Sequence, residues 1–476
     1  MMASTPPSTV YFFGNEFPHD DLRDLFRSLV RHAKDRRFSL VAAFVRESTR
    51  VLRAEIDKLP KAVRDEVPYF ESILHLPDHG MFRESSLGAA MESAFLVALQ
   101  VGMFIGHHES HGLDLGDTQG TSIASGLSIG LFSGAAVATA RTLGDLVKTG
   151  VESLRVAFRL GVFVQDFSQK LESPHHEGTQ QSWAHVVTGL SKDTIEGELA
   201  PYNDKPGVSP LSKVFISAAD KASVGVTGPP SHLRAAFLQS QPLRHSRSLA
   251  LPVYDGVCHA QHIYSHSDIE AVLGTPVDPS FERRKVCIPL ISSQHGTPFD
   301  AATGNQLLQS ICTELLTGTI YMDNISNGIV QLLEGAEGSS SPLFCTFRTS
   351  IATKSIVESI NSHLAKDGLS LSMNDLVSWT FADQGPRQPA SHADAKLAIV
   401  GVACRMPGGA NDPEQFWSSL EKGYNACVRV PEDRFDLETH FDPTGETENA
   451  SQTEFGNFID RPGKFFRDMK KIPITN

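Results

Sequence analysis

The run from Thr118 to Ala140, TQGTSIASGLSIGLFSGAAVATA, carries no charged side chain. Such a stretch belongs inside a folded domain or a bilayer, and Gly, Ser, Thr and Gln dilute it too heavily for a membrane span. The nearby run AFLVALQVGMFIG, Ala94 to Gly106, is apolar but too short to cross. Both are expected in the core of a soluble protein, with no membrane partner. At the centre of the first run lies Gly126-Leu-Ser-Ile-Gly130. A G-x-S-x-G match arises easily by chance among so many small residues, so Ser128 is either a nucleophile on a sharp turn or a spacer.

A chain of 476 residues exceeds one ordinary core, which predicts two or three domains. A formal charge of −13 and a pI near 5.8 argue against a dedicated nucleic-acid binder, whose affinity rests on clustered Lys and Arg. A small molecule or a protein is the expected partner. The six cysteines are scattered with no C-x-x-C pair, which predicts free thiols in a reducing, cytoplasmic setting. The first residues lack a basic stretch followed by an apolar one, so no secretory signal is expected.

Thr9 to Phe17, TVYFFGNEF, reads as a buried strand closed by Gly14, and PHDDLRDLFRSLVRHA after it reads as an amphipathic helix. Strand, glycine turn and helix open an α/β domain. Residues Ala89 to His107 predict a deeply buried helix, Leu131 to about Ala140 a small-residue helix, and Ser153 to Phe167 another. Lys213 to Gln239 predicts two short strands and a proline-started helix, part of a small α+β insertion over about 180–250. Leu249 to Tyr264 is expected to return to the larger domain as strand, loop and helix start. A Pro/Ser/Ala-rich linker is expected over 381–395, after a first domain of 1–380, and a second domain begins at 396. There Asp412 and Pro413 mark a helix start.

A serine hydroxyl needs a base within hydrogen-bond reach and donors for the oxyanion. A strand delivering Ser128 onto a glycine-flanked turn that opens a helix is the setting of a nucleophile elbow, which offers the Ile129 N–H as one donor. Of the nineteen histidines, His107, His108 and His111 are expected near a polar loop, and His175 and His176 in another. None has carboxylate or thiol partners at ligand spacing, so no metal is expected. His259, with His262 on the same helical face, is placed past a strand end and before a helix.

FFGNEF, GLSIG, VAFRLG, SVGVTGPPSHL, GVCHAQHIY and CIPLISSQHGTPF follow one another in this order. The set resembles the starter-unit acyltransferase domains of fungal non-reducing polyketide synthases, relatives of malonyl-CoA:ACP acyltransferases. It spans roughly Thr9 to Ser378. KLAIVGVACRMPGG, DPEQFWSSLEKG and DRFDLETHFDP resemble the start of a β-ketoacyl synthase domain. The resemblance implies an α/β-hydrolase-like core with an inserted ferredoxin-like subdomain, followed over 396–476 by the incomplete amino-terminal segment of a thiolase-like ketosynthase. This segment stops before that family's catalytic residues and departs from its pattern after Gly463, so no condensation is expected from it.

Position by position, the resemblance makes Ser128 the nucleophile and His259 the general base, with Gly126 and Gly130 shaping the substrate side of the elbow. The implied reaction moves a starter acyl group from a thioester donor, acyl-CoA or a partner synthase's carrier protein, onto an acyl carrier protein. That partner synthase could be a highly reducing one. The phosphopantetheine arm acts as co-substrate, with no bound cofactor. Serine stands where many starter-unit domains have cysteine. Where relatives have a glutamine after the first strand this chain has Glu16, leaving Asn15 as the substitute on the oxyanion side. Arg159 falls near the relatives' substrate-carboxylate arginine at a longer spacing from Ser128, so it is either a cleft residue or a structural arginine paired with a carboxylate. Basic residues Arg244, Arg247, Arg283, Arg284 and Lys285, on either side of the His259 segment, are either a solvated charge cluster or a carrier-protein patch. A serine esterase or thioesterase and a decayed docking domain remain alternatives.

Overall fold

The computed structural model describes residues 9–16, 22–78, 87–116, 122–172, 181–334, 341–348, 350–381, 403–445, 447 and 450–460. The chain divides into two compact units, Met1–Pro386 and Arg387–Asn476. The linker expected over 381–395 lies, apart from its first residue, outside the described residues.

The first unit is built on a five-stranded sheet in the order β10-β9-β1-β2-β7, all pairs parallel. Its strands are β1 (Thr9–Phe13), β2 (Ser122–Gly126), β7 (Leu290–Ile291), β9 (Leu343–Thr346) and β10 (Ser372–Asp375). Parallel strands are buried on both faces, which is why β1 reads as an unbroken apolar run. Its residues alternate: Tyr11 and Phe13 face the larger core cluster, Val10 and Phe12 the smaller. The larger cluster is covered by α1 (Leu22–Ala33), α2 (Ser39–Ile56), the short α3 (Lys61–Arg64), α4 (Gly88–His111), α5 (Gly130–Ala138), α6 (Leu143–Leu171), α10 (His266–Leu273) and α11 (Gly304–Thr317). The smaller is covered by α12 (Met322–Glu334) and α13 (Ile351–Leu364).

Helix α4 is long and apolar enough to cross a membrane, yet it is buried against α2, α5 and α6. It runs to His111 and ends on Gly112 in the left-handed conformation. His107 and His108 are therefore buried helix residues, not part of a polar loop, and burial pushes both down to about 4. His175 and His176 lie outside the described residues, and among the described ones no His/Cys/Asp/Glu group is arranged to hold a metal.

The insertion carries β3 (Ala184–Thr188), α7 (Lys192–Asn203), β4 (Phe215–Ala219), β5 (Ser223–Thr227), α8 (Pro230–Gln239), the short α9 (Gln241–His245) and β6 (Arg247–Ala250). Strand order β6-β3-β5-β4 with antiparallel pairing is the ferredoxin-like βαββαβ arrangement. A fifth strand, β8 (Ile320–Tyr321), adds parallel to β4 from far along the chain. The return expected at Leu249 is different in the structure. Strand β6 pairs with β3 at the edge of the small sheet, and residues 251–264 form a loop, with α10 starting only at His266.

In the second unit α14 (Pro413–Glu421) begins as expected, with the Asp412 side chain accepting from the Gln415 N–H at 2.8 Å and Pro413 in the first turn. It is followed by β11 (Cys427–Arg429), α15 (Leu437–His440) and β12 (Phe455–Asn457), the two strands pairing antiparallel.

Candidate active site

Ser128 sits two residues past β2, where the chain turns sharply into α5. Its φ is +49, a left-handed conformation that costs a non-glycine residue about 1–2 kcal/mol. The flanking glycines make the turn possible. A Cβ on Gly130 would lie 2.0 Å from the Phe13 carbonyl oxygen and 2.7 Å from that of Gly14. One on Gly126 would lie 2.8 Å from the Leu131 nitrogen. Both glycines are therefore required here by close backbone approach. The β1 exit and the elbow are also joined by the Leu127 N–H, which donates to the Phe13 carbonyl at 2.9 Å.

His259 reaches the elbow from the loop after β6. Its Nε2 is 3.2 Å from Ser128 Oγ, and its Nδ1 is 2.7 Å from the Gly318 carbonyl oxygen. A carbonyl only accepts, so Nδ1 carries the proton and Nε2 presents its lone pair to the serine. The histidine is buried and also has positive φ, +60. Carbonyls at the end of α11 hold its backbone: Leu315 accepts from the His259 N–H and Leu316 from the Ala260 N–H, both at 2.7 Å. Those carbonyls have no partner within their own helix. Burial pushes His259 below its ordinary value, and the bond to Gly318 together with the nearby Glu314 charge opposes that shift.

Glu314 is buried and receives Ser292 Oγ at 2.5 Å, Ser293 Oγ at 2.5 Å and the Ser293 N–H at 2.8 Å. It thereby ties the end of β7 to the end of α11. Neither Gly318 nor Glu314 was anticipated. The first acts through a backbone oxygen, which leaves no side-chain signature; the second stands as a carboxylate among the apolar positions of a helix, a signal that could have been read.

The Ile129 and Asn15 N–H groups, on the exits of neighbouring strands β2 and β1, donate to no protein acceptor among the described residues. Asn15 and Glu16 are both exposed. The arrangement offers a serine hydroxyl, a neutral base and backbone donors, the components of nucleophilic acyl chemistry.

Arg159 pairs with a carboxylate and two carbonyls. Its Nε donates to the Val272 carbonyl at 2.6 Å, Nη2 to that of Ala271 at 2.5 Å, and Nη1 to Glu55 at 3.2 Å. One turn earlier Arg155 donates to the Leu273 carbonyl at 2.6 Å and pairs with buried Glu152. Two arginines on α6 thus satisfy the carbonyls at the end of α10, where positive charge is favoured. His262 is not on a shared helix with His259; it packs edge-on against Phe215 of β4. Desolvation pushes the thiol of half-buried Cys258 up to about 12, which disfavours its thiolate.

The family model described as "Starter unit:ACP transacylase in aflatoxin biosynthesis" matches residues 11–258, and that of "Beta-ketoacyl synthase, N-terminal domain" matches 394–475. A "Non-reducing polyketide synthase nscA" of Trichophyton equinum is 52% identical over 96% of this chain and 26% of its own length. A "Non-reducing polyketide synthase aptA" of Emericella nidulans is 51% identical over 98% of this chain and 26% of its own. The chain thus spans about a quarter of the length of these relatives. Among solved structures, the malonyl CoA-acyl carrier protein transacylase of Coxiella burnetii aligns with a TM-score of 0.51 at 12% identity, over 80% of this chain and 98% of that one. The MCAT of Streptococcus pneumoniae aligns at 0.50 and 13% identity, over 78% and 99%. These two share the α/β fold. With its family match covering more than half of the residues, the chain belongs to the starter unit:ACP transacylase family.

Proposed function

We propose that the first unit loads a starter acyl group from a thioester donor onto the phosphopantetheine thiol of a polyketide synthase's acyl carrier protein, through an acyl-Ser128 intermediate. The observation that carries this reading is the Ser128–His259–Gly318 relay on a strained elbow. His259 Nε2 takes the Ser128 proton as Oγ bonds to the thioester carbonyl carbon. The carbonyl oxygen gains charge, and the Ile129 and Asn15 N–H groups stabilise it. The tetrahedral adduct collapses, the C–S bond breaks, and the departing thiolate takes the proton from His259. The carrier thiol then gives its proton to His259 and attacks the ester. The C–O bond breaks, the acyl group leaves on sulfur, and Ser128 recovers its proton.

An oxygen ester is more stable than a thioester, so loading Ser128 is downhill and unloading less so. With Arg159 committed to Glu55 and the end of α10, it offers no cation to a substrate carboxylate, which supports an uncharged acyl group. The donor is an acyl-CoA or the carrier protein of a partner synthase. The test is the intact mass of a carrier protein after incubation with the enzyme and an acyl thioester. Acylated carrier supports the proposal, free acid an esterase, and unchanged carrier with unchanged thioester a docking role.

A further inference from the structure

Within the run Ala94 to Gly106, Gln100 is the one residue with a polar side chain. It lies on α4 with 3% of its surface exposed. Its Nε2 donates at 2.7 Å to the carbonyl of Gly14, the first residue beyond β1. The amide orientation follows from the partner, since a carbonyl cannot donate. The other end of the amide, Oε1, is buried without a hydrogen-bond partner among the described residues. A buried carbonyl left unpaired costs about 1–3 kcal/mol. Leu or Met would suit an apolar helix without that penalty, so packing does not account for glutamine at this position.

What the amide does account for is the orientation of one peptide unit. The Gly14 carbonyl and the Asn15 N–H belong to the same planar trans peptide and point in opposite directions. Fixing the carbonyl from α4 fixes the N–H on the opposite side, away from α4. The same carbonyl oxygen lies 2.7 Å from the Cβ position of Gly130, so the clamped peptide abuts the first turn of α5 beside Ser128. Its neighbour is tied as well, through Phe13 O and the Leu127 N–H. Left unclamped, an exposed glycine–asparagine peptide is free to rotate.

We propose that Gln100 is a positioning residue which, by clamping the Gly14 carbonyl, holds the Asn15 N–H ready as the second oxyanion donor. Transition-state stabilisation depends on donors aligned before charge develops. This rests on the acyl-transfer reading above.

The test is Gln100→Met in the full chain, followed by active-site titration and burst kinetics with a small acyl thioester. The expected result is a burst amplitude equal to the parent's, a burst rate lower by about 10–100-fold, and an unchanged KM, because losing a whole donor costs about 10²–10³ in kcat. The melting temperature should change little, since the bond lost at Gly14 offsets the unpaired carbonyl removed. Gln100→Leu, apolar and unable to donate to the Gly14 carbonyl, should slow the burst as much. A lower melting temperature with reduced amplitude but a normal rate per active site would mean that Gln100 only supports packing, overturning the proposal. So would a parent-like burst rate in both variants. Failure of the parent enzyme to acylate Ser128 overturns the acyl-transfer reading and this proposal with it.

Discussion

The two edges of the large parallel sheet are made from the same strands and helices, but they are finished differently. At the carboxyl edge β2 exits into Ser128, β1 into Gly14 and Asn15, and β9 into Arg348; His259 reaches the elbow on its own loop. Among the described residues, the positive-φ non-glycine ones, Ser128, Asp255, His259 and Arg348, lie on these exits or on the segment that delivers His259. At the amino edge, the Cys287 N–H donates to the Ala138 carbonyl at the end of α5, the Gly304 N–H to that of Arg284, and the Arg284 side chain meets Asp145 at 2.9 Å. Backbone strain collects at the carboxyl edge, beside the Ile129 and Asn15 donors. Strained residues persist where surrounding structure over-determines them, and they concentrate where chemistry is done.

The largest effect expected from this contrast is on the covalent step. Ser128→Ala should abolish the acyl-enzyme, lowering transfer by about 10⁴-fold or more, and His259→Ala should be comparably severe. The double variant should be little worse than either single one, because the pair acts as a unit. Intact-protein mass after brief exposure to an acyl thioester reads this directly. An adduct persisting in Ser128→Ala would move the chemistry away from the elbow.

Next in size is the dependence on pH. The base must be neutral, and burial lowers the His259 pKa, so the neutral form persists to lower pH than for an exposed histidine. The acidic limb of the acylation rate should have its midpoint below 6.5, falling about tenfold per pH unit beneath it. A midpoint above 6.5 would mean that Glu314 and Gly318 outweigh desolvation.

Much of the carboxyl edge was legible in the sequence because its determinants are local. Glycines two residues either side of a serine, between a short strand and a small-residue helix, dictate the turn wherever it lies. The reason Gly130 is needed was not legible: it is the backbone of Phe13 and Gly14, more than a hundred residues earlier. The Gly318 carbonyl was hidden in the same way. Arg159 was ambiguous because one helix residue more or less rotates a side chain by about 100°, enough to turn it from the cleft to α10. The end of α4 was placed too early, at His107, because polar residues after an apolar run suggest a helix end, whereas the helix runs on to His111.

That reading of Arg159 sets a smaller expectation. Arg159→Met should lower stability by about 2 kcal/mol: Glu55 keeps Lys58 at 2.7 Å, but two helix-end carbonyls lose their donor. Acyl transfer per folded molecule should be unchanged. Selective loss of transfer from a carboxylate-bearing donor would return Arg159 to the cleft. Smaller still, and opposite in sign, is Ser128→Gly, which should raise stability by about 1 kcal/mol while removing the hydroxyl, because glycine adopts positive φ without steric penalty. Chemical denaturation of both variants measures the two shifts on one scale.

The smallest effect is expected where sequence reasoning placed a carrier-protein patch. Arg283 and Lys285 are exposed, but they precede β7 at the amino edge, and the segment is joined through Cys287 to the far end of α5. Nine residues of helix separate that end from the elbow, about 13 Å along the axis. A carrier protein whose arm enters at Ser128 has its docking surface around the carboxyl edge, and exposed charges beyond a Debye length are largely screened at ordinary ionic strength. Arg283→Glu combined with Lys285→Glu should therefore leave the KM for carrier protein within about twofold, since the lost attraction at that distance is a fraction of a kcal/mol. A several-fold rise in that KM, with self-acylation from a small thioester unchanged, would show that the carrier grips the amino edge and that the division of labour between the two edges is incomplete.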